Sequence, residues 1–223
     1  MKTHLLAATG FLLAAASVSA APLTLTNANF ESGFIASTDN PVGWTTTEVS
    51  GNSVYLYQPT AAKVAAFWGS GGELAQSFST SEAFADTYGN YAVTFDSGWR
   101  NNSPGLPFAL TFSLVNITDG SVLGSSTYNF PASTPSLAFD NYRVIATGNT
   151  LNIAYDNTTA NLVGKTVGLR ITATSGDSSG FNTTGWIDNI AVNATAVPEP
   201  STYGLLGAGA LAGVAMLRRR RRA

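Results

Sequence analysis

The 223-residue sequence predicts an all-β domain, a two-sheet antiparallel jelly-roll sandwich, flanked by an N-terminal signal helix and a C-terminal hydrophobic helix. Three observations carry this prediction. Between Pro22 and Ala196, short runs rich in Val, Ile, Phe, Tyr and Thr alternate apolar with polar residues, the pattern of strands with one buried face. No stretch of that region keeps a helical period. Loops of Gly, Asn and Ser separate the runs, and about ten short strands punctuated in this way pack as two sheets.

The runs follow in order. Leu23–Thr26 opens the domain, and Val54–Tyr57, Val64–Trp68 and Leu74–Phe78 come next, each bounded by Gly, Pro or Ser. Tyr91–Asp96 alternates Tyr91, Val93 and Phe95 against Ala92, Thr94 and Asp96. Phe108–Asn116 sets Phe108, Leu110, Phe112 and Leu114 on one face, and Asp119-Gly120 is the hairpin turn that joins it to Val122–Tyr128. Tyr142–Ala146, Leu151–Tyr155 and Val167–Ile171 come next, and Trp186–Val192 closes the domain.

The two ends have different chemistry. Lys2 precedes an apolar run from Leu5 to Ala16, and the small residues Val18-Ser19-Ala20 follow, as at a signal-peptidase site. Residues 1–20 read as a signal peptide cut between Ala20 and Ala21, because cutting one residue later would leave Pro22 first. At the C-terminus, Val197, Pro198, Glu199, Pro200 and Ser201 precede an apolar run from Tyr203 to Leu217, then Arg218, Arg219, Arg220, Arg221 and Arg222. Pro198 and Pro200 keep the junction extended, which suits a protease or transpeptidase. The apolar run would span about 23 Å as a helix, short of the roughly 30 Å hydrocarbon core. The arginines hold the extreme C-terminus in the cytoplasm.

Charge and side-chain chemistry exclude several function classes. Five basic residues face twelve acidic ones between Ala21 and Val197. A sparse, mildly acidic surface offers nothing to phosphate backbones, so nucleic acid is excluded as a partner. There is no cysteine, and the sole histidine, His4, lies in the signal segment. The mature chain therefore has no Ser-His-Asp or Cys-His mechanism and no His-based zinc site. Glycoside hydrolysis would need two carboxylates about 5–10 Å apart across a cleft. Glu48, Glu73, Glu82, Asp86 and Asp96 are spaced like solvated surface residues instead.

Sugar recognition needs flat aromatic faces for the apolar side of a pyranose, and amide or charged groups for its hydroxyls. The segment Trp99-Arg100-Asn101-Asn102-Ser103-Pro104-Gly105, read as a loop, supplies both. Trp68, before Gly69-Ser70-Gly71-Gly72, is the second aromatic candidate, with Tyr55 and Tyr57 beyond it. Each competes with a reading as core, which is the more frequent fate of a Trp in a small sandwich. Trp44 and Trp186 are expected in the core.

The order of motif, hydrophobic helix and basic stop over Val197–Arg222 resembles the PEP-CTERM sorting signal of Gram-negative bacteria. That resemblance implies processing by an exosortase that reads Pro198-Glu199-Pro200. It further implies export through the inner membrane, transient anchoring there by the C-terminal helix, and delivery to the cell surface or exopolysaccharide matrix. An ordinary single-span anchor is the alternative. Within the domain, Asn29-Phe30-Glu31, Gly43-Trp44 and Trp186-Ile187-Asp188-Asn189-Ile190 resemble the galactose-binding-like jelly rolls, many of them non-catalytic carbohydrate-binding modules. In that family a first-strand glutamate and a last-strand aspartate share a structural calcium, and Glu31 and Asp188 match those positions. Strict alternation would put Asp188 on one face with Trp186, Ile190 and Val192, where a carboxylate needs a partner; the alternative is that Asp188 caps a turn or faces solvent through a bulge.

The expectation is thus a signal peptide (1–20), a jelly-roll domain (21–196) and a sorting tail (197–223). The protein would be non-enzymatic and exported, and would bind or organise exopolysaccharide or another surface glycan. A structural or adhesive matrix protein without a saccharide site, or a glycan-active enzyme, stand as alternatives.

Overall fold

The computed structural model describes residues 20–33, 41–47, 53–58, 62–78, 88–101, 107–131, 142–154, 166–175 and 183–196. The signal segment 1–19, Asn102 and the sorting tail 197–223 lie outside the described residues. Among the described residues there are eleven strands: β1 (Ala20–Leu23), β2 (Thr45–Thr47), β3 (Ser53–Tyr57), β4 (Val64–Trp68), β5 (Glu73–Ser77), β6 (Tyr88–Asn101), β7 (Ala109–Asn116), β8 (Val122–Asn129), β9 (Tyr142–Ala154), β10 (Val167–Ser175) and β11 (Thr183–Ala196). A front sheet runs β3-β4-β11-β6-β9, with β1 also paired to β11, and a back sheet runs β2-β5-β10-β7-β8. Every pairing is antiparallel. The eight strands from β4 onward interleave as β4-β11-β6-β9 over β5-β10-β7-β8, the two nested Greek keys of a jelly roll.

The predicted strands are found with instructive shifts. Val64–Trp68 is β4 to the residue. The opening strand ends earlier than its apolar residues suggest, because Asn27 turns the chain at a φ of 51° and residues 26–29 form a turn. Pro22 in β1 lacks an N–H, which an edge strand tolerates on its free side. Strand β2, Thr45-Thr46-Thr47, has no large apolar residue to reveal it. The two runs around Gly148 are a single strand, β9, whose pairing with β6 shifts register opposite Ser97. Strand β6 runs on through Asn101, well past the apolar run that announced it.

Large apolar side chains from both sheets meet between them. Phe95 of the front sheet stacks on Phe112 of the back sheet with ring centroids 4.5 Å apart, and Tyr128 meets Phe95 edge-on at 5.1 Å. Farther along, Trp99, Phe108 and Phe130 pack together at 5.0–5.8 Å. Polar groups at this interface are satisfied: Ser97 shares a 3.0 Å hydrogen bond with the Tyr128 hydroxyl and accepts one from Asn149 Nδ2 at 3.0 Å. Gln76, also buried, clamps the first turn by accepting from Thr26 N at 2.6 Å and donating to the carbonyls of Thr26 at 3.0 Å and Gly43 at 2.6 Å.

Gly185 of β11 faces this aromatic packing. A Cβ there would run into the ring of Phe108 and lie 3.1 Å from Phe130 Cζ, so only glycine lets β11 pass beneath the cluster. Gly185→Ala is expected to cost about 1–3 kcal/mol through overpacking. Thermal unfolding should show this as a lower Tm, by roughly 2–4 °C for each kcal/mol.

Candidate functional site

Period-two alternation gives the front sheet two faces, and its outer face is unusual. In β4, Ala65 and Phe67 point into the main core, while Val64, Ala66 and Trp68 point outward. On β11, Ile187 is in the core and Trp186 is outside, where it packs with Val64, Ala66 and Trp68 as a separate apolar cluster. An outer sheet face is ordinarily polar. Here Trp186 keeps only 4% of its surface exposed, whereas Trp68 is half-buried. The Trp186 Nε1–H is buried with no hydrogen-bond partner among the described residues. The register gives the sequence neighbours of these positions across the sheet. One row across the strands reads Tyr55, Ala66, Trp186, Gly98 and Val144, and the next reads Ser53, Trp68, Thr184, Arg100 and Tyr142.

The back sheet's outer face differs. Thr111 Oγ1 lies 2.9 Å from Thr127 Oγ1 and 3.2 Å from Thr174 Oγ1, a run of hydroxyls across three strands. The ion pair there joins Arg170 to Glu73 at 3.7 Å. Between the two outer faces, the tryptophans belong to the front one.

The structure separates the candidate sugar-contacting residues. Trp99 is not on a loop: it sits in β6, where odd-numbered Tyr91, Val93, Phe95 and Trp99 all face the core. It is 6% exposed, lies against Phe108 and Phe130, and its Nε1–H donates to the Pro131 carbonyl at 3.0 Å. Continuing the alternation of Tyr91–Asp96 by two more pairs would have placed it there. Arg100 has the opposite parity and shares a row with Trp68, two strands away through Thr184. Asn101 ends β6 opposite Thr183, and Asn102 is outside the described residues. Trp44 is in the core as expected, tilted against Phe30 at 5.5 Å. Trp186 is buried but in the outer cluster, a placement that parity with core Ile187 would have indicated.

Of the acidic pair, Asp188 lies within β11 and Glu31 in the non-strand segment that follows β1. Asn189 adopts a φ of 50° and the pairing with β6 shifts register between Asp188 and Ala191, so β11 bulges there. The bulge reverses the alternation: Ile187, Ile190 and Val192 are core residues, and Asp188 falls on the side of Trp186, not with Ile190 and Val192. Asp188 is 8% exposed and accepts from the Asn189 N–H at 2.8 Å. Asp96 accepts from Gly148 N at 2.7 Å and from Asn189 Nδ2 at 2.8 Å. Glu31 Oε1 accepts from Lys63 N at 3.2 Å. Each carboxylate thus has a protein donor of its own. Among the described residues, no three acidic, histidine or cysteine side chains converge to hold a metal ion. Burial pushes the Asp188 carboxyl up to about 6. The Asn189 N–H opposes this rise, while the charges of Asp96 and Glu31 add to it.

The ends of the domain lie side by side, with Ala20 and Ala21 paired to Thr195 and Ala194. Strand β11 ends at Ala196, and from Ala196 onward the chain matches a known sorting sequence over residues 196–222. This segment is a PEP-CTERM protein-sorting motif. It marks an exported protein with a C-terminal sorting signal and implies exosortase processing. The motif abuts the last strand, so the predicted signal-cleavage point at Ala20–Ala21 and the sorting motif leave the domain at adjacent positions. Among the described residues, no helix is long and apolar enough to cross a membrane. No curated protein is similar in sequence to the chain.

Solved structures resemble the fold. A cyclase from Fischerella sp. TAU is 16% identical, with a TM-score of 0.51 over 81% of this chain and 100% of that one. A Stig cyclase, Fisc, of the same organism is 16% identical with a TM-score of 0.50, again over 81% of this chain and 100% of its own. The CBM22-1 xylan-binding domain of Xyn10C from Paenibacillus barcinonensis is 12% identical, with a TM-score of 0.38 over 76% of this chain and 93% of that domain. At these identities the likeness is one of fold, and the jelly roll predicted from the sequence is the fold found.

Two predictions distinguish these environments. Trp99→Ala should destabilise the domain by about 3–5 kcal/mol, as expected for emptying an aromatic core site, in denaturant unfolding. For Asp188 the sign follows from its raised value. Between the ordinary 3.8 and about 6, the native carboxyl keeps a proton that the unfolded chain has released. Its contribution to stability therefore falls as pH rises through that window and is flat above it. Asp188→Asn should gain stability relative to wild type across the same window in a pH series of thermal unfolding, and hold that gain at neutral pH.

Proposed function

We propose that this is an exosortase-processed cell-surface or exopolysaccharide-matrix protein, without catalytic activity, that binds surface glycan on the outer face of its front sheet. The observation that carries the glycan reading is Trp68, half-buried on a floor made by Trp186, Val64 and Ala66 and separate from the main core. Val64, Ala66 and Trp186 are themselves buried, so the partly accessible Trp68 indole is the apolar surface this outer face offers, and it suits a ligand that is itself two-faced. A pyranose ring has a face of C–H groups that lies on an indole and a rim of hydroxyls that take hydrogen bonds. Ser53, Thr184 and Arg100 occupy the Trp68 row and place polar residue types beside it. The matrix destination rests on the sorting motif at 196–222 together with the signal-like N-terminus.

Absence of catalysis is supported by the chemistry of the chain. Outside the signal segment there is neither histidine nor cysteine. Of the described carboxylates near one another, Asp96 accepts from backbone and amide donors of the two neighbouring strands, and Asp188 accepts from the N–H of the next residue in its own strand.

Affinity electrophoresis of the surface-released protein through gels containing the host's own exopolysaccharide tests the reading. Wild type should be retarded, and Trp68→Ala should weaken binding about tenfold, equivalent to 1.4 kcal/mol, with little change in Tm. Unretarded migration of wild type would leave the structural or adhesive account in its place. Intact mass of the same released material should lack the segment from Tyr203 to Arg222, and finding that segment would overturn exosortase processing.

A further inference from the structure

We infer that the ammonium group of Lys63 is the built-in cation of the turn next to the last strand, standing in place of a bound calcium ion. Lys63 Nζ donates to the carbonyl oxygen of Glu31 at 2.9 Å and to that of Gly33 at 2.8 Å, while its backbone N–H donates to Glu31 Oε1 at 3.2 Å. Two backbone oxygens and a carboxylate, supplied by Glu31 and Gly33, are the kind of donor set that a hard cation takes. One lysine already engages all three.

The rest of the segment is satisfied from another side. Asn27 Nδ2 donates to the Ser32 carbonyl at 2.9 Å and to that of Val42 at 3.2 Å, and Asn27 Oδ1 accepts from Ser32 N at 2.9 Å. The carbonyls of residues 31, 32 and 33 are therefore taken in turn by Lys63, Asn27 and Lys63. This segment lies outside the strands, so its backbone groups must find partners elsewhere. Across the gap, the carboxylates of Asp188 and Asp96 are held by the Asn189 and Gly148 N–H groups, and no set of three metal-ligating side chains forms among the described residues.

An ammonium carries one compact charge and three donors with no demanding coordination geometry, and two carbonyls use two of those donors. A calcium ion entering here would have to displace it from both. Because the lysine is part of the chain, the turn is held at any calcium concentration. That property suits a domain that leaves the cell and meets an uncontrolled ionic environment.

The test uses the full chain in mild detergent, followed by thermal unfolding with EDTA and with added calcium chloride. Wild type should unfold at the same temperature in both. Lys63→Met, which keeps the length of the side chain and removes its charge, should unfold several degrees lower, and Lys63→Arg should recover part of that loss. A wild-type Tm that drops in EDTA and returns with calcium would overturn the inference, and so would an unchanged Tm in Lys63→Met. Should Lys63→Met fail to fold, a folded, EDTA-insensitive Lys63→Arg supports the inference and an EDTA-sensitive one refutes it.

Discussion

Strand β11 holds the front sheet together, and most of the structure depends on its pairing. Along one edge it pairs with β6 over nearly its whole length, and along the other it takes β4 near its start and β1 near its end. Without β11 the front sheet divides into separate groups of strands, and the inner face that covers the back sheet is lost. Because β11 is the last described strand before the sorting motif, the front sheet is complete only when nearly all of the domain's sequence is available to pair. Closure of non-local antiparallel pairs is slow relative to local structure. The first and last strands of the domain therefore meet at one place in the molecule, next to the sorting motif.

The same strand decides where chemistry can occur. A left-handed residue, Asn189, lets β11 send Trp186 and Asp188 to the outside while Ile187, Ile190 and Val192 remain in the core. The Ala28 carbonyl accepts from Ile190 N at 3.0 Å just beyond the bulge, so the first turn of the chain is docked on it. That turn carries Glu31 and Gly33 to Lys63. The bulge at Asn189 thus joins the polar turn, docked through Ile190, to the strand that carries Trp186.

The division between the two tryptophans offered as sugar platforms shows how much of the site was legible. Trp68 ends a short strand beside glycines, and its outward placement follows from the inward Phe67. For Trp99, the polar neighbours Arg100, Asn101 and Asn102 suggested a loop, because local composition weighs more on such a reading than the continuation of a strand. Long strands of this kind carry a polar end without ceasing to be strands, since pairing on both sides by β11 and β9 satisfies their backbone. Trp186 and Trp44 looked alike in the sequence. Parity with core Ile187 assigns Trp186 to the outer patch, and packing against Phe30 places Trp44 in the interior.

By itself, the sequence determined the all-β class, the positions of most strands, the absence of histidine and cysteine chemistry in the mature domain, and the sorting motif. These follow from local periodicity, composition and contiguous motifs, all of which can be read within a short window. Only the tertiary structure decided which strands share an edge of β11, which face each tryptophan occupies, and which cation meets the carbonyls of the first turn. Those depend on register and on residues far apart in the chain. A single bulge such as that at Asn189 reverses the face of everything after it, while the composition on either side stays unchanged.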